Sequence, residues 1–224
     1  VPIKKDIDYF YVTLLSYLCY IIKGGRIMRN ANPELVSSIK KQTLELLMEK
    51  EPEEIGMREI AKKCGVSATA IYHYYRDKDC LFQAISLDCL NQINSVIEAA
   101  AENAASSKEK VLAAIRAFRN WSLKNPRVAS LVMEKIKSAV NLPPEETEKF
   151  YVCNRTGEKL LELCIAEGVA RSENPRLDVG VLVFGLWGCL QSVISRKSEV
   201  EYWENSEPFT ERFISMWAEN IFVN

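Results

Sequence analysis

The feature that most constrains this chain is a short apolar pattern broken by one glycine: Ile60, Ala61 and Cys64, then Gly65, then Val66, Ser67 and Ile71. The three- and four-residue spacing of Ile60, Ala61 and Cys64 gives one helix a single apolar face. Gly65 ends that helix, because the residue after a helix often needs a positive φ that glycine takes without steric cost. Ser67 is a strong cap for a second helix starting at Ala68. Only a tight turn is left between the two, so they must cross as a helix-turn-helix.

On the second helix Ile71 points back toward Val66, which leaves Ala68, Thr69, Tyr72 and His73 on the outward face. A methyl, hydroxyls and an imidazole are groups that reach base edges and phosphate oxygens when a helix N-terminus enters a major groove. Small residues at the first positions, Ser67 and Ala68, permit close approach. Lys62, Lys63, Arg76 and Lys78 flank the unit and suit phosphate contacts.

Arg58-Glu59-Ile60-Ala61, Gly65-Val66-Ser67, Ile71-Tyr72, Tyr74-Tyr75 and Lys78-x-x-Leu81 together resemble the TetR (TetR/AcrR) family of bacterial transcriptional regulators. The resemblance implies that Tyr72, Tyr74 and Lys78 bind phosphates, and that Arg58, Thr69 and His73 lie where family members read bases. It also implies a cytoplasmic homodimer, a repressor released from a palindromic double-stranded DNA operator by a small-molecule effector. Two positions depart from the family pattern. Gly56 stands where a Ser or Thr usually caps the first short helix, so the start of that helix is expected to fray. Glu51-Pro52 replaces the usual glycine and aromatic before it.

The chain has 224 residues, 48% of them apolar, and a net charge of -1, enough for a proper core but with no overall bias toward nucleic acid. DNA binding must then come from local charge. Glu45, Glu49, Glu51, Glu53 and Glu54 bunch away from the basic residues of the motif. Seven cysteines, odd in number and never spaced C-x-x-C, argue against a disulfide framework and for a reducing cytoplasm. His73 is the only histidine, so a His/Cys zinc site of ordinary spacing is excluded, and neither metal nor cofactor is expected. A hydrolase would have to use His73, which sits in the middle of the outward face. No glycine-rich phosphate loop or paired-carboxylate motif stands out, and the chain reads as a non-enzyme. The alternatives are a helical enzyme using a pocket in the second half, or a membrane-attached regulator held by residues 9–22.

Residues 1–27 differ from the rest. The run 9–22 is uncharged and rich in Tyr, Leu and Ile, yet shorter than the roughly 18–20 residues that span a bilayer. It lacks a small-residue cleavage site, and Met28 precedes the first family-like helix, so 1–27 reads as an extension or an upstream reading, with an apolar helix docked on the body or on a membrane as the alternative. Asn32-Pro33 then opens a bracing helix with Leu35, Ile39, Thr43, Leu46 and Leu47 inward, completing a three-helix DNA-binding domain over 28–78. From Asp79 the spacing of Leu81, Ile85, Leu90, Ile93 and Ile97 predicts one long helix to about Glu102. Further helices are expected over 108–124, 126–140, 145–167, 175–195 and 207–223, with a break at 196–206.

The expected fold class is therefore all-α: an N-terminal helix-turn-helix domain joined to a helical effector-binding and dimerisation domain over 79–224. Phe118, Trp121, Met133, Phe150 and Tyr151 are candidates to line a ligand cavity, with ordinary core packing as the alternative for each. The run 179–194 is uncharged with Gly180, Gly185 and Gly188, and Phe209, Phe213, Trp217 and Ile221 step along the last helix. An apolar helix of that kind is more often buried on two sides than membrane-spanning. By resemblance to the family's terminal four-helix bundle, Leu182, Leu186, Gly188, Val193, Phe209, Phe213 and Trp217 are expected at a dimer interface.

Overall fold

The computed structural model of the protein describes residues 32–138 and 142–223; the extension 1–27, its apolar run and the start at Met28 lie outside the described residues. The order is α1 (Pro33–Glu49), a 3-10 turn (Pro52–Glu54), α2 (Met57–Lys63), α3 (Ala68–Tyr74), α4 (Lys78–Glu102), α5 (Ser107–Lys124) and α6 (Pro126–Ser138). There follow α7 (Pro144–Glu148), a 3-10 turn (Lys149–Tyr151), α8 (Val152–Ala166), α9 (Pro175–Ile194), α10 (Val200–Glu204) and α11 (Ser206–Ile221). Among the described residues there is no strand, only a bridge between Ala170 and Phe222. The fold is all-α.

The helix starts follow from capping chemistry. Asn32 Oδ1 accepts from the backbone N–H groups of Glu34 (3.0 Å) and Leu35 (3.2 Å). Asp77 Oδ1 accepts from Cys80 N–H (2.8 Å) at the start of α4, and Asn174 Oδ1 from Leu177 N–H (3.1 Å) at the start of α9. Ser106 and Glu109 form a reciprocal capping box on α5. Each of these satisfies an N–H that the first turn of a helix leaves unpaired.

Two elements differ from the sequence expectation. The single helix expected over 145–167 is broken into α7, the 3-10 turn and α8, and the break brings Phe150 into the core, where it is 1% exposed. The break expected at 196–206 contains α10, held where Tyr202 stacks on Phe209 (ring centroids 5.1 Å apart). Nearby, the Arg196 guanidinium lies over the Trp203 ring at 4.8 Å.

Apolar burial forms two centres. The first joins Ile39, Leu46, Leu47, Ile60 and Ile71 of the small helices to Leu81, Ile85 and Ile93 of α4 and to Leu131 and Val132 of α6. The second packs Val111 and Ile115 of α5 and Leu161 and Cys164 of α8 against α9 and α11. Polar contacts tie the same helices together. Lys40 of α1 pairs with Asp88 of α4 at 2.6 Å, and burial pushes the Asp88 carboxyl up despite that partner. Glu211 of α11 accepts from both Arg116 and Arg119 of α5. Hydrogen bonding from Arg116 is the main cause that holds its carboxyl low. Stability from a lowered carboxylate is present above the ordinary carboxylate range and is lost as pH falls through the folded value.

Helix α9 is long and apolar enough to cross a membrane by length and composition alone. In the fold, however, Val179, Leu182, Leu186, Leu190 and Val193 are buried against the protein's own core. This corrects the expected interface. Leu182, Leu186, Val193 and Trp217 face inward; Phe209 and Phe213 are half-buried; of that set only Gly188 is exposed. The apolar residues that α9 leaves exposed are Leu177, Val181 and Phe184. A helix apolar on every side carries no pattern that tells its inner face from its outer one.

Gly185 is required where α9 meets α11, because a Cβ there would lie 2.9 Å from Cε2 of Phe213 and closer still to its Cζ. Gly185→Ala should therefore force the Phe213 ring to move and lower stability by about 1–3 kcal/mol, as overpacking does. Gly180→Ala, whose Cβ would meet nothing within 4 Å, should not destabilise the protein. Urea unfolding of the two variants at equal protein concentration checks the contrast.

Candidate functional site

The helix-turn-helix is built as its residue types dictate. Ile60 and Ile71 are fully buried and Ala61 nearly so, which fixes the crossing of α2 and α3. Gly65 takes φ +68°, and Val66 N–H donates to Ala61 O at 3.0 Å to close the end of α2. Gly56 precedes α2 without a side-chain cap; its carbonyl still accepts from the N–H groups of Glu59 and Ile60 at 3.0 and 3.1 Å. Ser67 Oγ accepts from Ala70 N–H at 3.2 Å and so caps α3. The tight turn between the helices thus presents the N-terminus of α3 outward, with its positive dipole end available to phosphate.

The sequence-selected residues divide into three groups. Arg58, Ser67, Thr69, Tyr72 and His73 are exposed on this surface, as are Lys62 and Lys63. Ala68 is not on the outward face as expected: it is half-buried and packs against the core, because the first turn of α3 leans on the helices beneath it. Tyr74 and Lys78 are engaged within the protein. Tyr74 Oη accepts from Asn32 N–H at 3.2 Å, and its ring meets that of His73 edge-on at 5.5 Å. Lys78 Nζ donates to the carbonyl of Pro52 at 3.0 Å and reaches that of Glu53 at 3.4 Å, above the Phe82 ring.

A second feature is a small cavity between the middle helices, about 20 Å³ in volume. Leu90 and Ile93 of α4, Phe118, Trp121 and Ser122 of α5, and Ala129, Val132, Met133 and Ile136 of α6 line it. Cys153 and Asn154 of α8 and Val183 of α9 close it. Phe118, Trp121 and Met133 were legible as candidates. Phe150 and Tyr151 do not line it: Phe150 is in the core and Tyr151 packs beside it, under the Arg155 guanidinium at 5.9 Å. Among the described residues no charged side chain lines the cavity. Burial pushes the Cys153 thiol up to about 12, so it stays neutral and donates weakly to Leu90 O at 3.5 Å. The signal that sequence reading missed is the four-residue recurrence of Ala129, Met133 and Val132, Ile136 along α6.

Helix α6 also touches the small helices. Arg127 donates to Met48 O (2.8 Å) and to Glu51 Oε1 (2.9 Å), beyond the end of α1. Lys135 pairs with Asp79 at the start of α4 (2.5 Å). One helix therefore contacts the cavity, the end of α1 and the start of α4. Among the described residues no group of three or more His, Cys, Asp and Glu could hold a metal ion.

Residues 39–85 match the family described as bacterial regulatory proteins, tetR family. The helix-turn-helix region of the chain is similar to that family. Residues 39–85 take in α2 and α3 entirely and run to the first turns of α4. Curated HTH-type transcriptional regulators of Mycobacterium tuberculosis and Mycobacterium bovis are each 24% identical over 132 residues, 58% of this chain. That match spans 56%, a little over half, of those relatives' length. Among solved structures, a TetR family transcription regulator from Marinobacter aquaeolei is similar with a TM-score of 0.65 at 15% identity, covering 88% of this chain and 100% of that one. A Rhodococcus protein of unknown function has a TM-score of 0.72 at 14% identity, covering 89% and 100%. These likenesses show that the fold is shared past the helix-turn-helix, through the helical second half.

The Ser67 cap is the contact that defines where α3 begins. Ser67→Ala should lower stability by about 1 kcal/mol, and Ser67→Asp should hold it near the parent value. Chemical denaturation followed by circular dichroism measures both.

Proposed function

We propose that this protein is a cytoplasmic, ligand-responsive transcriptional regulator that binds a palindromic operator as a homodimer and acts as a repressor. The observation that carries the reading is the exposed set Arg58, Thr69, Tyr72 and His73 around a helix whose N-terminus is presented by the Gly65 turn and capped by Ser67. Thr69 and His73, one helical turn apart, are proposed to read bases, with Arg58 beside them. Tyr72 is proposed to bind phosphate. Tyr74 and Lys78, which have internal partners, would contact phosphate only with their remaining hydrogen-bonding capacity. The division into a DNA-binding unit over 28–78 and an effector and dimer unit over 79–224 belongs to the same reading.

The proposed second copy docks on the exposed stripe of α9, where Leu177, Val181, Phe184 and Gly188 recur at steps of four, three and four. Gly188 offers no side chain, so a partner backbone can come close, and Met216 of α11 extends the apolar surface. Two copies of α3 held about 34–36 Å apart would meet successive major grooves.

The effector is proposed to be a neutral, largely apolar molecule, since a charged one would enter the cavity without a counter-charge. A ligand pressing on Val132, Met133 or Ile136 would move α6, and α6 is tied to the end of α1 through Arg127 and to the start of α4 through Lys135. By linkage, the factor by which effector weakens DNA binding equals the factor by which DNA weakens effector binding.

Selection of binding sites from random duplex DNA tests the reading. A palindromic site is expected, and Thr69→Ala should change the preferred base at one symmetric pair of positions, at about 1–3 kcal/mol per good contact. Recovery of no preferred duplex would overturn the function.

Phe184→Glu should convert the dimer to a folded monomer, because an unpaired ion sealed in the seam costs several kcal/mol. Sedimentation equilibrium measures the mass, and a Phe184→Glu protein that stays dimeric would exclude the α9 stripe as the interface.

A further inference from the structure

Residues 48–54, which close α1 and lead to α2, collect polar contacts from three other helices. From α6, Arg127 donates to the Met48 carbonyl at 2.8 Å and to Glu51 Oε1 at 2.9 Å. From α4, Lys78 donates to the Pro52 carbonyl at 3.0 Å. From α2, Glu59 pairs with Lys50 at 2.5 Å. The segment is also tied to itself. Glu51 N–H donates to Glu54 Oε2 and Glu54 N–H to the Glu51 carbonyl, both at 3.1 Å, and Ile55 anchors the end of the turn in the core.

We infer that Arg127 is the positioning residue through which an occupant of the cavity sets the placement of α2, and with it the DNA-facing helix α3. When α6 shifts, Arg127 carries the end of α1 and the 52–54 turn with it, and Lys50 passes the shift to Glu59. The buried Ile60 and Ile71 then move α2 and α3 together. This rests on the reading of the cavity as the effector site and names its route to the DNA surface. Met48 O is among the last carbonyls of α1, which no helical N–H reaches, and the last turn of α1 has no basic residue of its own. Arg127 supplies both a donor and the positive charge that a helix C-terminus favours. The Arg127 and Glu51 side chains are 40% and 60% exposed, so their pairing adds little stability. What it fixes is geometry, because one planar guanidinium holds a carbonyl and a carboxylate at once. Val132, on the cavity wall, lies only about 8 Å along α6 from Arg127. The other tie of α6, from Lys135 to Asp79, ends on α4, which core packing holds along its length and which therefore yields less.

A double-mutant cycle tests the route without an identified effector. Val132→Phe fills the cavity and stands in for an occupant. Affinity for the duplex recovered by site selection is measured by fluorescence anisotropy for the parent, Val132→Phe, Arg127→Ala and the double variant. Val132→Phe should weaken operator binding by about 5- to 150-fold, the usual size of coupling between two sites. In the Arg127→Ala background that loss should shrink by about 2- to 30-fold. Lys50→Met should shrink it likewise, and Lys135→Ala should leave it whole. If Arg127 served folding alone, it would change affinity by the same factor with the cavity empty or filled, and the cycle would be additive. An additive cycle overturns the inference, as does a loss that disappears in Lys135→Ala and persists in Arg127→Ala. Circular dichroism checks that each variant is folded, and Ala129→Leu replaces Val132→Phe in the cycle if the latter is not. If a folded, filled variant binds the operator as the parent does, the reading of the cavity as the effector site fails, and the route falls with it.

Discussion

Burial of α4 along its whole length is the constraint on which the rest of the structure depends. Leu81, Phe82 and Ile85 close the helix-turn-helix core from above, and Leu90, Ile93 and Ile97 carry the same helix into the body. Full burial of each such side chain stabilises by about 1.5–3 kcal/mol, so unzipping either half from α4 would expose several of them together. The two halves are consequently joined by packed helix rather than by a flexible linker. The Lys40 to Asp88 pair adds direction to this contact, since a buried cation and carboxylate tolerate little change in their separation.

How much of this was legible in the sequence depends on whether the signal is local. The turn at Gly65, the caps at Asn32, Ser67 and Asn174 and the inward positions Ile39, Leu46, Leu47 and Ile71 were all readable, because each is set by neighbours within one or two turns. Phe118, Trp121 and Met133 were found as cavity residues because they are large and apolar. Ala129, Val132 and Val183 were not, since a small or ordinary apolar residue looks the same lining a space as filling one. The inner face of α9 was not legible for a related reason: its own residues are apolar on the buried and the exposed side alike. Phe150 shows the opposite failure. Its burial breaks a run of residues that would otherwise continue as one helix, and that tertiary preference leaves no mark in the local pattern.

The polar contacts were the least predictable part. Nothing near Lys78 in sequence announces that its ammonium meets the carbonyls of Pro52 and Glu53, nor does Tyr74 announce Asn32. These contacts link residues at least 25 positions apart. Each holds a side chain that the family resemblance assigns to DNA, so a phosphate contact of the kind proposed would find these groups already oriented. Ordering them in advance reduces the entropy that binding would otherwise have to overcome.

Adjacent residues of α9 face opposite ways: Val183 lines the cavity, and Phe184 is exposed on the stripe proposed to meet a second copy. In such a pair each cavity would lie one helix thickness, about 10 Å, from the seam. A molecule entering one cavity would press on the wall that the other subunit leans against. The two cavities of a dimer would then be coupled to each other as well as to DNA, and occupancy would rise with concentration more steeply, or less steeply, than for independent sites. The steepness of the response of such a protein would be set by the seam itself.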